Sequence, residues 1–192
     1  MATTSGFTGL VPVYHNGGGT VRAEQFQITD NYASNIFQGS PVSISSNGKI
    51  QILSSSALPL IGAFDGVEYT DVNGQPRVSN RWPASTATAT GSTITAWCYR
   101  DPQIIYSIQG NGPISQSGVG NQAGFKTSST GNVTTGMSTA SLDVALLSAS
   151  TTGQLRVIRI GDDVDNAPAD AFTTVYVQVA SHQDYPAALA AY

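Results

Sequence analysis

Short apolar runs separated by Gly, Asn, Pro and Ser recur along the whole chain, and no segment sustains a 3.6-residue apolar period. Two pairs make the turns explicit. Asn47-Gly48 stands between residues 41–45 and 50–52, and Asn73-Gly74 follows residues 67–69. Asn-Gly between alternating runs is a strong hairpin signal, because a two-residue type I′ turn needs positive φ at both central positions. Residues 155–160 (LRVIRI) and 173–179 (TTVYVQV) alternate most clearly. The second run places Val175, Val177 and Val179 on one face and Thr174, Tyr176 and Gln178 on the other.

The same reading predicts strands over residues 10–14, 20–28, 60–64, 94–99 and 104–108. Val21, Phe26 and Ile28 are candidate inward residues in the second of these. The run over 60–64 is expected to end at Asp65-Gly66, and Trp97 is expected in the core. Residues 110–136 are Gly/Ser/Asn/Thr-rich and predict short edge strands or long loops. Residues 141–147 are read as a strand over the alternative of one helix. About ten short strands with turn signals every 8–12 residues or so imply an all-β chain of sandwich or barrel character. The expected organisation is a flexible arm over residues 1–9, a β-rich domain over 10–185 with a sub-domain divide near 102, and a tail over 186–192.

Composition narrows the function. Charged residues make up 10% of the 192, against about 25% in an average soluble domain. Ser, Thr, Asn, Gln and Gly replace them. Such a surface packs against another protein without desolvating many ions. Between Pro102 and Leu155 the only formal charges are Lys126 and Asp143, so this neutral run is a candidate contact region. The eight basic residues are scattered and the net charge is −4. No basic stripe is available for phosphates, so no nucleic-acid partner is expected. Neither a secretion signal nor an apolar run of about 18 residues is present, so no membrane partner is expected.

The catalytic and metal motifs fail in context. Residues 161–171, GDDVDNAPADA, gather Asp162, Asp163, Asp165 and Asp170. In the calcium-loop register from Asp163, Ala167 stands at the third ligand position and Pro168 replaces the required Gly. The stretch therefore reads as a solvated connection between two strands. Residues 118–123 fit G-x-G-x-x-G/A, but no buried strand precedes them and no helix follows. The two histidines, His15 and His182, and the single cysteine, Cys98, are too few for a structural zinc site. Cys98 sits in an apolar run and reads as a buried residue rather than a nucleophile. No enzymatic activity, metal or cofactor is expected. Trp82, in Arg81-Trp82-Pro83, lies in a predicted loop, folded onto the core or presented to a partner.

Several stretches taken together carry a resemblance. They include Gly62-Ala63-Phe64-Asp65-Gly66-Val67-Glu68-Tyr69-Thr70-Asp71, Asn80-Arg81-Trp82-Pro83, Tyr99-Arg100-Asp101-Pro102, and Tyr106-Ser107-Ile108-Gln109-Gly110-Asn111-Gly112. With Leu155-Arg156-Val157-Ile158 and Thr173-Thr174-Val175-Tyr176-Val177, they resemble the capsid decoration (cement) proteins of tailed bacteriophages, across residues 9–183. The resemblance implies a virion protein made in the bacterial host, bound outside the head on the major capsid protein. It also implies self-association, as a homotrimer or a dimer. Candidate contacts with the capsid or a neighbouring subunit are Phe7, Tyr14, Arg22, Arg81, Trp82 and Phe125. The alternative is a head-fibre or receptor-binding module, with residues 110–136 as the contacting surface.

Overall fold

The computed structural model describes residues 4–54, 58–127, 130–149 and 153–185. Among them it is all-β, and every pair of named strands is antiparallel. A five-stranded sheet runs in the order β1 (Val11–His15), β10 (Ile104–Gln109), β15 (Thr174–Val179), β14 (Leu155–Ile160), β11 (Gln122–Ala123). A six-stranded sheet has the order β2 (Glu24–Gln27), β9 (Thr95–Tyr99), β6 (Gly62–Thr70), β4 (Pro41–Ile44), β5 (Ile50–Ile52), with β7 (Pro76–Ser79) also on β6. Two ribbons complete the fold: β3 (Ile36–Phe37) with β8 (Arg81–Trp82), and β12 (Phe125–Thr127) with β13 (Ser141–Leu142).

Each sheet faces its own apolar cluster. Under the first, Val175, Val177 and Val179 meet Tyr106, Ile108, Leu155 and Val157, with Phe125 and Leu142 of the β12–β13 ribbon. Under the second, Trp82, Ile36, Phe64, Ala96 and Cys98 pack together. Burying each Val or Ile side chain contributes about 1.5–3 kcal/mol, which lets so lightly charged a chain fold on alternation alone. The chain passes from the second sheet to the first between β9 and β10, where the divide near 102 was expected. The separation is not complete. β1 precedes the divide yet lies on the edge of the first sheet, and Leu53, Leu60 and Ala63 join the first cluster.

Both Asn-Gly hairpins form, but with a different turn. Gly48 and Gly74 each adopt φ of 76°, whereas neither preceding Asn has positive φ. The Gly48 N–H donates to Ser45 O and Ser45 N–H to Lys49 O, and Gly74, Asp71 and Gln75 repeat the pattern. This is the three-residue loop of a type I turn followed by a left-handed Gly. Asp71 fixes the second loop by accepting from the Asn73 and Gln75 N–H groups.

Four expectations change. Asp65-Gly66 does not end a strand. β6 continues through it, with Asp65 as the extra residue of a β-bulge between the pairs Phe64–Cys98 and Gly66–Trp97. Trp97 is half-buried on the outer face of β9, because Ala96 and Cys98 occupy the inward positions. Residues 141–147 split into β13 and a 3-10 turn over Val144–Leu146, started when the Asp143 carboxylate accepts the Ala145 N–H. Arg81-Trp82 is a strand rather than a loop. The described part of the arm is also tied down. The Gly6 N–H donates to Gln109 Oε1, and Phe7 meets the edge of Phe172 at 6.1 Å.

Candidate functional site

Alternation gives the five-stranded sheet a second face. Across β1, β10, β15 and β14 the register aligns Val11, Ser107, Tyr176 and Arg159 in one row. Tyr14, Ile105, Gln178 and Arg156 form the next. None of these side chains belongs to either buried cluster; Ile105 is fully covered by its neighbours and the other seven are half-buried or exposed. Tyr14 and Tyr176 meet edge-to-face at 6.3 Å, and the Arg159 guanidinium lies 4.3 Å from the Tyr176 ring centroid and 6.0 Å from that of Tyr14. Asp162 pairs with Arg159 from the adjoining loop. That hydrogen bond, ahead of the one to Tyr14, raises the Arg159 pKa further above its usual range. The result is a half-buried platform of two tyrosines and a stacked arginine, with β-bulges in β1 and β14 beside Tyr14 and Arg159. Tyr and Arg are the residue types that dominate binding energy at protein interfaces, and their rotamers here are set in advance by mutual contact.

The residues singled out in the sequence scatter. Tyr14 lies on this platform. Phe7 sits half-buried beside Phe172, Arg22 is exposed ahead of β2, and Arg81 is half-buried in β8 opposite Phe37. Trp82 and Phe125 must be withdrawn as contacts, because they are 0% and 4% exposed and serve the two cores. The neutral run changes role in the same way: its Ile114, Phe125, Ala140 and Leu142 fill the first cluster. Tyr176 and Arg159 were not singled out. Tyr176 stands on the outward side of its alternating strand, whereas alternation from Leu155 and Val157 would place Arg159 inward, and only the β-bulge between Val157 and Arg159 brings it beside Tyr176.

The acidic stretch is the connection between β14 and β15. Asn166 holds it closed. Its Nδ2 donates to the Gly161 and Thr174 carbonyls at 2.9 Å, and its Oδ1 accepts the Thr174 N–H at 2.7 Å. Asp162, Asp163 and Asp165 point outward, and among the described residues no three His, Cys, Asp or Glu side chains converge as metal ligands. Asn166→Ala removes three partly buried hydrogen bonds and is expected to lower stability by about 1–3 kcal/mol. Urea unfolding followed by tryptophan fluorescence reads this as a lower midpoint.

The histidines are structural. His15 Nδ1 accepts from the Gly17 and Gly19 N–H groups, so Nε2 carries the proton and donates to Asp101 at 3.1 Å. His182 Nδ1 accepts the Asp184 N–H, and its Nε2 donates to the Ile61 and Arg100 carbonyls. Cys98 is fully buried, and burial, followed by the charge of Asp65, pushes its thiol far above the usual range. Iodoacetamide is therefore expected to leave Cys98 unmodified in the native protein and to alkylate it after unfolding, as read by mass spectrometry. Residues 118–123 run from the buried Gly118, which ends a 3-10 turn, through Gly120 at φ 89° into β11.

No protein-family model, curated protein or solved structure matches this chain. Among the described residues, no helix is long and apolar enough to cross a membrane.

Proposed function

We propose that this chain is a structural protein of a bacteriophage virion that binds the outside of the assembled major-capsid lattice and stabilises the head without catalysis. The observation that carries the reading is the Tyr14–Tyr176–Arg159 platform, an ordered aromatic and arginine surface on a sheet face that belongs to neither core. The low charge of the chain and its resemblance to capsid cement proteins support the same reading. A protein that binds the closed shell and not free capsid subunits stabilises the shell by mass action. Repetition over a lattice multiplies modest single contacts. Self-association is part of this proposal, as a homotrimer first and a dimer second.

The test is co-sedimentation of the purified protein with heads that lack it. Wild type is expected to saturate the heads. The double variant Tyr176→Ala, Arg159→Ala is expected to bind at least about tenfold more weakly, because two central contacts are removed. Equal binding by the variant would place the contact elsewhere. Absence of binding to heads, with binding to host cells instead, would favour the head-fibre or receptor-binding reading.

A further inference from the structure

Beside the platform, a cleft of about 250 Å³ opens where the two sheets adjoin. Val11, Pro12 and Met137 give it apolar walls above the buried Leu10 and Phe64, and Val11 belongs both to the cleft and to the platform row. Two β-bulges flank it. One lies in β1 between Pro12 and Tyr14, and the other aims Asp65 of β6 out of the regular ladder. Bulges recur where a strand must redirect a side chain. Asp65 supplies the only formal charge of the lining. Gln38 Nε2 donates to its Oδ1 at 3.1 Å, and Tyr99 lines the same cleft. Burial first, then the Asp65 charge, raises the Tyr99 pKa, so the phenol keeps its proton. Among the described residues no cation pairs with Asp65. The neighbouring β1 ends the sheet, with Val11 and Val13 38% and 44% exposed.

We infer that this cleft receives a basic side chain, arginine in the first place, from an extended segment of the partner protein. The inference rests on the docking role proposed above and adds the chemistry of the partner. A carboxylate held by one amide still has lone pairs to offer. An arginine entering between apolar walls meets a charge-assisted pair at the end of its aliphatic stem. The free edge of β1 offers main-chain hydrogen bonds to the same segment.

The probe is the capped peptide acetyl-Thr-Arg-Thr-amide, titrated into the full ¹⁵N-labelled protein, with citrulline replacing arginine as the neutral control. Saturable amide shifts are expected around Asp65, Gly66 and Tyr99 with the arginine peptide. Binding is expected to be at least about tenfold weaker with citrulline, or in Asp65→Asn with the arginine peptide. Equal response to the two peptides, or no saturable response, overturns the inference. If Asp65→Asn does not fold, the citrulline comparison on wild type decides the matter. Co-sedimentation with heads separates this result from the docking role. Heads that bind wild type and Asp65→Asn equally leave the docking role standing and remove the cleft from it. A positive peptide titration without head binding does the reverse.

Discussion

Gly62→Ala is expected to yield no stably folded protein. Gly62 opens β6 with φ of 142°, a region L side chains rarely adopt. A Cβ built there lies 1.7 Å from the Tyr99 carbonyl oxygen and 2.9 Å from its carbon. Both atoms are backbone on the neighbouring strand, where Ala63 pairs with Tyr99, so no side chain can swing away. The Tyr106 hydroxyl, which donates to that same carbonyl, closes the third side. Relief requires β6 and β9 to separate at the point where the two sheets meet. The cost exceeds about 4 kcal/mol, against a total of about 5–15 kcal/mol for a typical domain. Far-UV circular dichroism and yield of soluble protein read the outcome. A melting temperature near that of wild type would show that the strand entry is looser than described.

Trp82→Ala is the second large effect, expected to cost about 3–5 kcal/mol. Its indole is fully buried, lies edge-on to Tyr69 with ring centroids 5.3 Å apart, and donates from Nε1 to the Tyr32 carbonyl at 3.2 Å. Truncation leaves a cavity in the second cluster and removes one of the two hydrogen bonds to the Tyr32 carbonyl, which keeps the Ser85 N–H. For a chain of this size the midpoint should fall by roughly 6–20 °C. The measurement also separates two roles. A Trp82 that served a partner would lose binding on substitution and leave the melting temperature unchanged. Calorimetry on the isolated protein distinguishes these outcomes.

Alternation and turn chemistry carried most of the fold into view. β14 and β5 match their expected bounds, and β15 differs by one residue, because flanking turn residues mark their ends; within β14 the alternation holds only as far as the β-bulge between Val157 and Arg159. The pattern failed where one extra residue enters a strand. Asp65-Gly66 looks like a turn in sequence, and only the opposing strand turns it into a bulge. Arg81-Trp82 failed for a related reason. Two residues show no period, and their strand exists because β3, 44 positions earlier, pairs with it in the register Phe37–Arg81 and Ile36–Trp82. The platform was half legible. Tyr14 was singled out and Tyr176 was placed on the outward side of its strand, but the Arg159 stack depends on the order β1-β10-β15-β14, which no local pattern encodes. Asp65 was legible only as a residue. Its cleft is made by elements separated widely along the chain.

The proposed docking of this β-rich chain on the outer shell of a phage head uses the face of the five-stranded sheet that carries Tyr14, Tyr176 and Arg159. A reconstruction of intact virions at a resolution that shows side chains tests it most directly. The expected map holds this fold on the outside of the head, repeated at lattice axes, with Tyr14, Tyr176 and Arg159 against the capsid. Virions whose heads carry no such density, or density confined to a fibre or tail, would contradict it.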